Sequence, residues 1–198
     1  MWEIYKRHSS FVLGFHGCTK EVGERILAGS GSLKSSNNDY DWLGPGVYFW
    51  ENSPERALQF ASEAVARDPK TTRGVIREPF VIGAVIDLGL CFNLLDSGAL
   101  SEMKAAYNVF NSAILASGAK APKNVSGPDR RARFLDCAVI RTMQKLREDQ
   151  GVPSYDTMRG AFWEGGELYP GAGFSEKGHV QIAVVNPNKI LGYFRPIN

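Results

Sequence analysis

Apolar residues along this chain fall into short blocks whose spacing alternates between the two-residue repeat of a strand and the 3.6-residue repeat of a helix. Phe11–Phe15 is a compact apolar run closed by His16-Gly17, which predicts a buried strand. Thr19 follows as a helix N-cap ahead of Val22, Ile26 and Leu27, which share one face of a short helix ending at Gly29. Residues 30–42 are polar and rich in Gly, Ser and Asn, a loop by composition. Val47-Tyr48-Phe49-Trp50 predicts a brief strand. Ser53-Pro54-Glu55 then supplies an N-cap and an N1 proline for a helix whose apolar side is Leu58, Phe60, Ala61 and Val65.

In the second half, residues 80–95 predict two strands separated near Asp87–Gly89. Met103, Ala106, Tyr107, Phe110 and Ile114 recur at helical spacing within Leu100–Leu115. After a Gly-, Pro- and Lys-rich loop at 117–128, Leu135, Val139, Met143 and Leu146 share one face of a helix over 130–148. Tyr155–Trp163 predicts a strand and 164–178 a Gly-rich loop. Val180–Val185 and Ile190–Phe194 predict two closing strands around Asn186-Pro187-Asn188. Strands dispersed among helices without a regular βαβ alternation point to the α+β class.

Composition narrows the reading. At 198 residues, 43% hydrophobic and 11% aromatic, the chain is expected to form one globular domain, and disorder and collagen-like repetition are excluded. The longest apolar stretches, such as Val81–Ile86, are broken by Gly83 and closed by Asp87, far short of the ~20 residues of a spanning helix. Met1–Ser10 carries charges and no apolar signal core, so a cytoplasmic location without membrane attachment is expected. Cys18, Cys91 and Cys137 have no metal-ligand spacing and read as idle thiols. The net charge of +2 demands no polyanionic partner. Locally, however, Lys120, Lys123, Arg130, Arg131, Arg133, Arg141, Lys145 and Arg147 outnumber Asp129 and Asp136, either a nucleic-acid-binding face or a solvated helix.

Phosphate-binding loops of the GxxxxGK[ST] type, GxSxG elbows, HExxH pairs and helix-opening GxGxxG turns are all missing from the sequence. Three segments remain: Gly14-Phe15-His16-Gly17, Gly44-Pro45-Gly46-Val47-Tyr48-Phe49, and His179-Val180-Gln181 followed by Asn186-Pro187. Each alone has an ordinary structural reading, as a capped histidine, a core tyrosine and a solvent-facing glutamine. In this order, the set resembles the ADP-ribosyltransferase superfamily of the diphtheria-toxin and poly(ADP-ribose) polymerase type. The resemblance spans most of the chain apart from residues 100–150. It implies an α+β fold with a split mixed β-sheet core and flanking helices, and NAD as the substrate.

Carried over by motif, the resemblance implies that His16 holds the adenine-side ribose, Gly17 offers backbone groups to the nicotinamide carboxamide, and Tyr48 stacks on the nicotinamide ring. Phe60 is the candidate for the opposite face of that ring. Gln181 falls where the polymerising enzymes have glutamate. An amide can orient a ribose hydroxyl but supplies neither negative charge nor a base, so chain elongation is not expected. The expected activity is mono-ADP-ribosylation of a protein or nucleic acid by a bacterial toxin or defence effector, restrained by a neutralising partner protein. The alternatives are a non-catalytic NAD or ADP-ribose binder and an NAD glycohydrolase. Arg159 is a candidate for the pyrophosphate or for a structural ion pair with Asp156 or Glu164. Glu176, in the loop before the closing strand, and His179, on the face of Gln181, are candidates for contact with the acceptor.

Overall fold

The computed structural model describes residues 7–66, 76–125 and 132–197. Among the described residues, six strands and four α-helices form an α+β fold with a mixed sheet. Strand β1 (Arg7–Thr19) leads into helix α1 (Lys20–Leu27), and strand β2 (Val47–Glu51) into helix α2 (Pro54–Val65). Strand β3 (Pro79–Asn93) precedes helices α3 (Ser97–Ser117) and α4 (Phe134–Asp149). Strands β4 (Thr157–Phe162), β5 (His179–Val184) and β6 (Ile190–Phe194) complete the sheet. Among the described residues, no helix is long and apolar enough to cross a membrane.

Two predicted features change. Residues 80–95 form one strand, not two. Gly89 takes φ +55° and its N–H is held by Asp87 Oδ1, yet β3 runs on through this segment, and the ladder adjusts on the partner strand, where β1 shifts register between His8 and Phe11. In α2, the buried residues are Arg56, Ala57 and Ala61, whereas Leu58 and Val65 are exposed. Small side chains let this helix lie directly on β1: a Cβ placed on Gly17 would overlap the Ala57 carbonyl oxygen.

The strands run in the order β1-β2-β5-β4-β3-β6, and β3 also pairs along β1, so the ladder closes on itself through five strands. β3 is parallel to β4 at Cys91–Asn93, while the other pairings are antiparallel. Strand alternation divides the core. Val47, Phe49, Ile182 and Val184 point one way and meet Ala84, Ile86 and Leu88 of β3. Tyr48 and Ala183 point the other way, toward Met158 of β4 and Val139, Ile140 and Met143 of α4.

Asp156 joins three strands just before β4. Its carboxylate accepts from Leu90 N (2.9 Å) and Asn186 Nδ2 (2.8 Å), and its carbonyl accepts from Val185 N and Asn186 N. Replacement by alanine leaves the Leu90 N–H and the Asn186 amide without these acceptors. We expect a loss of about 2 kcal/mol, read as a lower urea midpoint; an unchanged midpoint would contradict this role.

Candidate functional site

β1 and β2 pair only at Gly14↔Glu51 and Phe15↔Trp50 and then part. Beyond that point β1 continues along β3, with His16 opposite Ile82 and Gly17 opposite Val81. The His16 ring spans the opening: Nδ1 lies 2.7 Å from the Tyr48 carbonyl oxygen. Since a carbonyl only accepts, Nδ1 carries the proton and Nε2 keeps a lone pair. Burial pushes the His16 pKa below its ordinary value, so the imidazole is neutral at pH 7.

Tyr48 lies opposite Ala183, and Trp50 opposite Gln181, which places these four residues on one face of β2 and β5. The Tyr48 hydroxyl donates to Gly44 O (2.8 Å) and accepts from Leu43 N (3.0 Å), so it is committed to the preceding loop. Burial and the nearby Asp41 carboxylate raise its pKa well above the ordinary tyrosine value. That loop is itself tied down, through backbone hydrogen bonds between Ser36 and Gly46, by Arg141 Nη2 to Asn37, and by Arg133 N to Tyr40 O.

Gln181 is buried, and its Oε1 accepts from Trp42 Nε1 at 2.6 Å. An indole nitrogen only donates, so the carboxamide orientation is fixed and Nε2 directs its N–H groups elsewhere. Trp42 stacks on Phe162, with ring centroids 3.7 Å apart, and Arg133 lies over the indole. A cavity of about 290 Å³ has Trp42, Phe162, Arg133, Asp136 and Trp163 in its wall. His16, Tyr48 and Gln181 are not among its lining residues.

His16 and Gln181 therefore both adjoin β2, but on opposite faces: Gln181 shares the face of the Tyr48 side chain, whereas His16 takes the Tyr48 carbonyl and sets its ring against Phe49, with centroids 5.8 Å apart, on the other. His179 joins Gln181, two residues before it on the same face and buried. The remaining expected residues divide. Phe60 meets Trp50, not Tyr48, with ring centroids 4.9 Å apart. Arg159 stands apart: alternation along β4 turns it away from Gln181, and both sides of its guanidinium are engaged, by Glu51 (2.6 and 2.9 Å) and Asn93 (3.2 Å). It is the structural ion pair, made with Glu51 and not with Asp156 or Glu164. Glu176 is exposed and caps the backbone of its own loop at Gly166.

The basic segment is also largely spoken for. Arg133 pairs with Asp136, Lys145 with Asp149, and Arg147 with Glu102, while Arg141 bonds Asn37 and the Asn38 carbonyl. Arg130 and Arg131 lie outside the described residues. The three cysteines are free and buried, and burial raises Cys18 and Cys91 to about 11, which keeps both as thiols.

Four participants escaped the sequence reading: Trp42, Trp50, Arg56 and Glu164. Arg56 and Glu164 form a buried ion pair, and Arg56 lies over the Trp50 ring at 5.7 Å. A tryptophan at the end of a polar loop, and an arginine between the apolar positions of a helix, were the available signals. Comparison with family models, with curated proteins and with solved structures found no match to this chain.

Burial lowers the pKa of His179 as well as that of His16. Both bind protons more readily once unfolded, so stability should be complete above the ordinary value of 6.5 and fall as pH drops toward their folded values. Urea unfolding followed from about pH 8 to about pH 5 should show that slope, and His16→Asn should flatten part of it; equal slopes in the two proteins would remove His16 from the account.

Proposed function

We propose that this chain is a mono-ADP-ribosyltransferase, which moves ADP-ribose from NAD to a macromolecular acceptor. The observation that carries the reading is that three motifs far apart in sequence all adjoin β2, His16 through the Tyr48 carbonyl and Gln181, opposite Trp50, on the face of the Tyr48 side chain. Breaking the nicotinamide glycosidic bond releases a neutral ring from a cationic one. The reaction gains from an aromatic wall for the leaving ring and from clamps that hold the riboses in reacting geometry.

In this reading Tyr48 works through its ring, because its hydroxyl is already committed, and Gly17 offers backbone groups at the opening between β1 and β2. His16 Nε2 accepts from the adenine-side ribose. Gln181, with Oε1 held by Trp42, donates through Nε2 toward the hydroxyls of the nicotinamide ribose. A neutral amide cannot stabilise a developing oxocarbenium ion as a carboxylate does, which accords with single transfer and not elongation. The same feature favours the second reading, a module that binds NAD without turning it over.

Incubating the protein with NAD labelled in its adenylate half and with cell extract separates the readings. Transfer predicts nicotinamide release with label retained in a protein or nucleic-acid fraction; release with only free ADP-ribose identifies a glycohydrolase, and neither signal leaves the binder. Tyr48→Ala should lower turnover about tenfold or more, the worth of one lost aromatic stack. Its melting temperature, measured alongside, tells lost chemistry from lost folding.

A further inference from the structure

Among the described residues, the buried side-chain nitrogens without a hydrogen-bond partner are Trp50 Nε1, Arg56 Nε and Nη1, and His179 Nε2. Buried polar groups are nearly always satisfied, and a group left bare costs free energy. Here all four atoms belong to three residues in one cluster. The Trp50 and His179 rings are 6.2 Å apart, Arg56 lies 5.7 Å over Trp50, and the remaining Arg56 nitrogen, Nη2, is spent on Glu164. All three residues are more than nine-tenths buried.

The chemistry of the four atoms is not uniform. His179 Nδ1 lies 2.7 Å from the Lys177 carbonyl oxygen and must therefore donate to it, which leaves Nε2 as a lone pair. Trp50 Nε1, Arg56 Nε and Arg56 Nη1 are donors. One acceptor and three donors within a single buried cluster are complementary in kind to a small group that both gives and receives a hydrogen bond, namely a hydroxyl or a water. Trp42 and Phe162, each with its ring 6.0 Å from that of His179, wall the imidazole on its other sides.

We infer that this cluster receives the oxygen nucleophile of the reaction and that His179 Nε2 is its general base, a role open because Gln181 cannot take a proton. The inference rests on the NAD reading above. An oxygen lone pair forms the new bond to the ribose anomeric carbon, and the carbon–nitrogen bond to nicotinamide breaks with its electron pair moving onto the pyridinium nitrogen. The hydroxyl proton passes to Nε2, and the imidazolium releases it to solvent after the products leave. Arg56 and Trp50 donate to the nucleophile and orient its lone pair toward the ribose; the ion pair with Glu164 offsets the charge of Arg56. A hydroxyl on a macromolecule gives transfer and water gives hydrolysis.

The test compares wild type with His179→Asn, whose amide N–H can still serve the Lys177 carbonyl but which offers no basic nitrogen. Nicotinamide release should fall about a hundredfold or more, with NAD binding, read as ligand-induced thermal stabilisation, kept. Wild-type kcat should fall on the acid side of the ordinary histidine range, because burial lowers the His179 pKa; the bond to the Lys177 carbonyl and Glu164 after β4 oppose that shift, and Arg56 from α2 adds to it. That limb should vanish in His179→Asn. Trp50→Phe, which keeps a ring and removes one donor, should lower kcat more than it raises KM and supplies a second readout if His179→Asn does not fold. A wild type that releases nicotinamide, with variants as fast and the acid limb unchanged, overturns the base and spares the NAD reading. A wild type with no release overturns both. Products from wild type divide the sources: label on protein or nucleic acid means a macromolecular hydroxyl, and free ADP-ribose means water.

Discussion

Strand β3, fifteen residues long, pairs in turn with β1, β4 and β6, and where each partner begins and ends decides where the sheet opens. β1 follows β3 along one edge for most of its length, and along its other edge it stays with β2 for only two residue pairs. The Tyr48 carbonyl is thereby left to a side chain. The imidazole of His16 fills that need, and in doing so fixes its own tautomer. A requirement of backbone hydrogen bonding thus presents a neutral, lone-pair-bearing nitrogen at the mouth of the opening.

The same economy recurs around β5. Gln181 and His179 are neighbours on one face, and each has one polar atom anchored, to Trp42 Nε1 and to the Lys177 carbonyl respectively. Anchoring one end of an amide or an imidazole decides what the other end can do. Gln181 is made a donor toward the site, and His179 an acceptor. The loop before β2 is essential to this arrangement, because it brings Trp42 to β5 and takes up the Tyr48 hydroxyl.

Much of this was legible in the sequence, and the reasons for the rest are specific. Strand and helix positions followed from periodicity because most elements bury one continuous face. Asp87–Gly89 misled because a left-handed glycine can sit inside a strand that continues as well as in a turn, and only pairing with the partner strand decides which. The α2 face misled because its contact with β1 is so close that Ala57 and Ala61, rather than Leu58 and Val65, suit it. His16, Tyr48 and Gln181 stood out as motifs, and the sheet register brings them to β2. Trp42 and Glu164 could not be linked to them, since each reaches its partner from a segment without regular structure, more than one hundred positions away along the chain. Charge counting along the basic segment could not see that acids outside it, Glu102 and Asp149, pair with Arg147 and Lys145.

The Trp42 stack has a further consequence of an optical kind. An indole whose N–H is held by an amide and whose ring lies flat on Phe162, within 6.0 Å of His179, has its excited state coupled to its immediate surroundings. Any molecule that repositions Gln181, or any proton that arrives on His179, alters the environment of that ring. The protein carries in Trp42 an intrinsic fluorophore seated where occupancy and protonation would be felt, so its emission offers a label-free record of both.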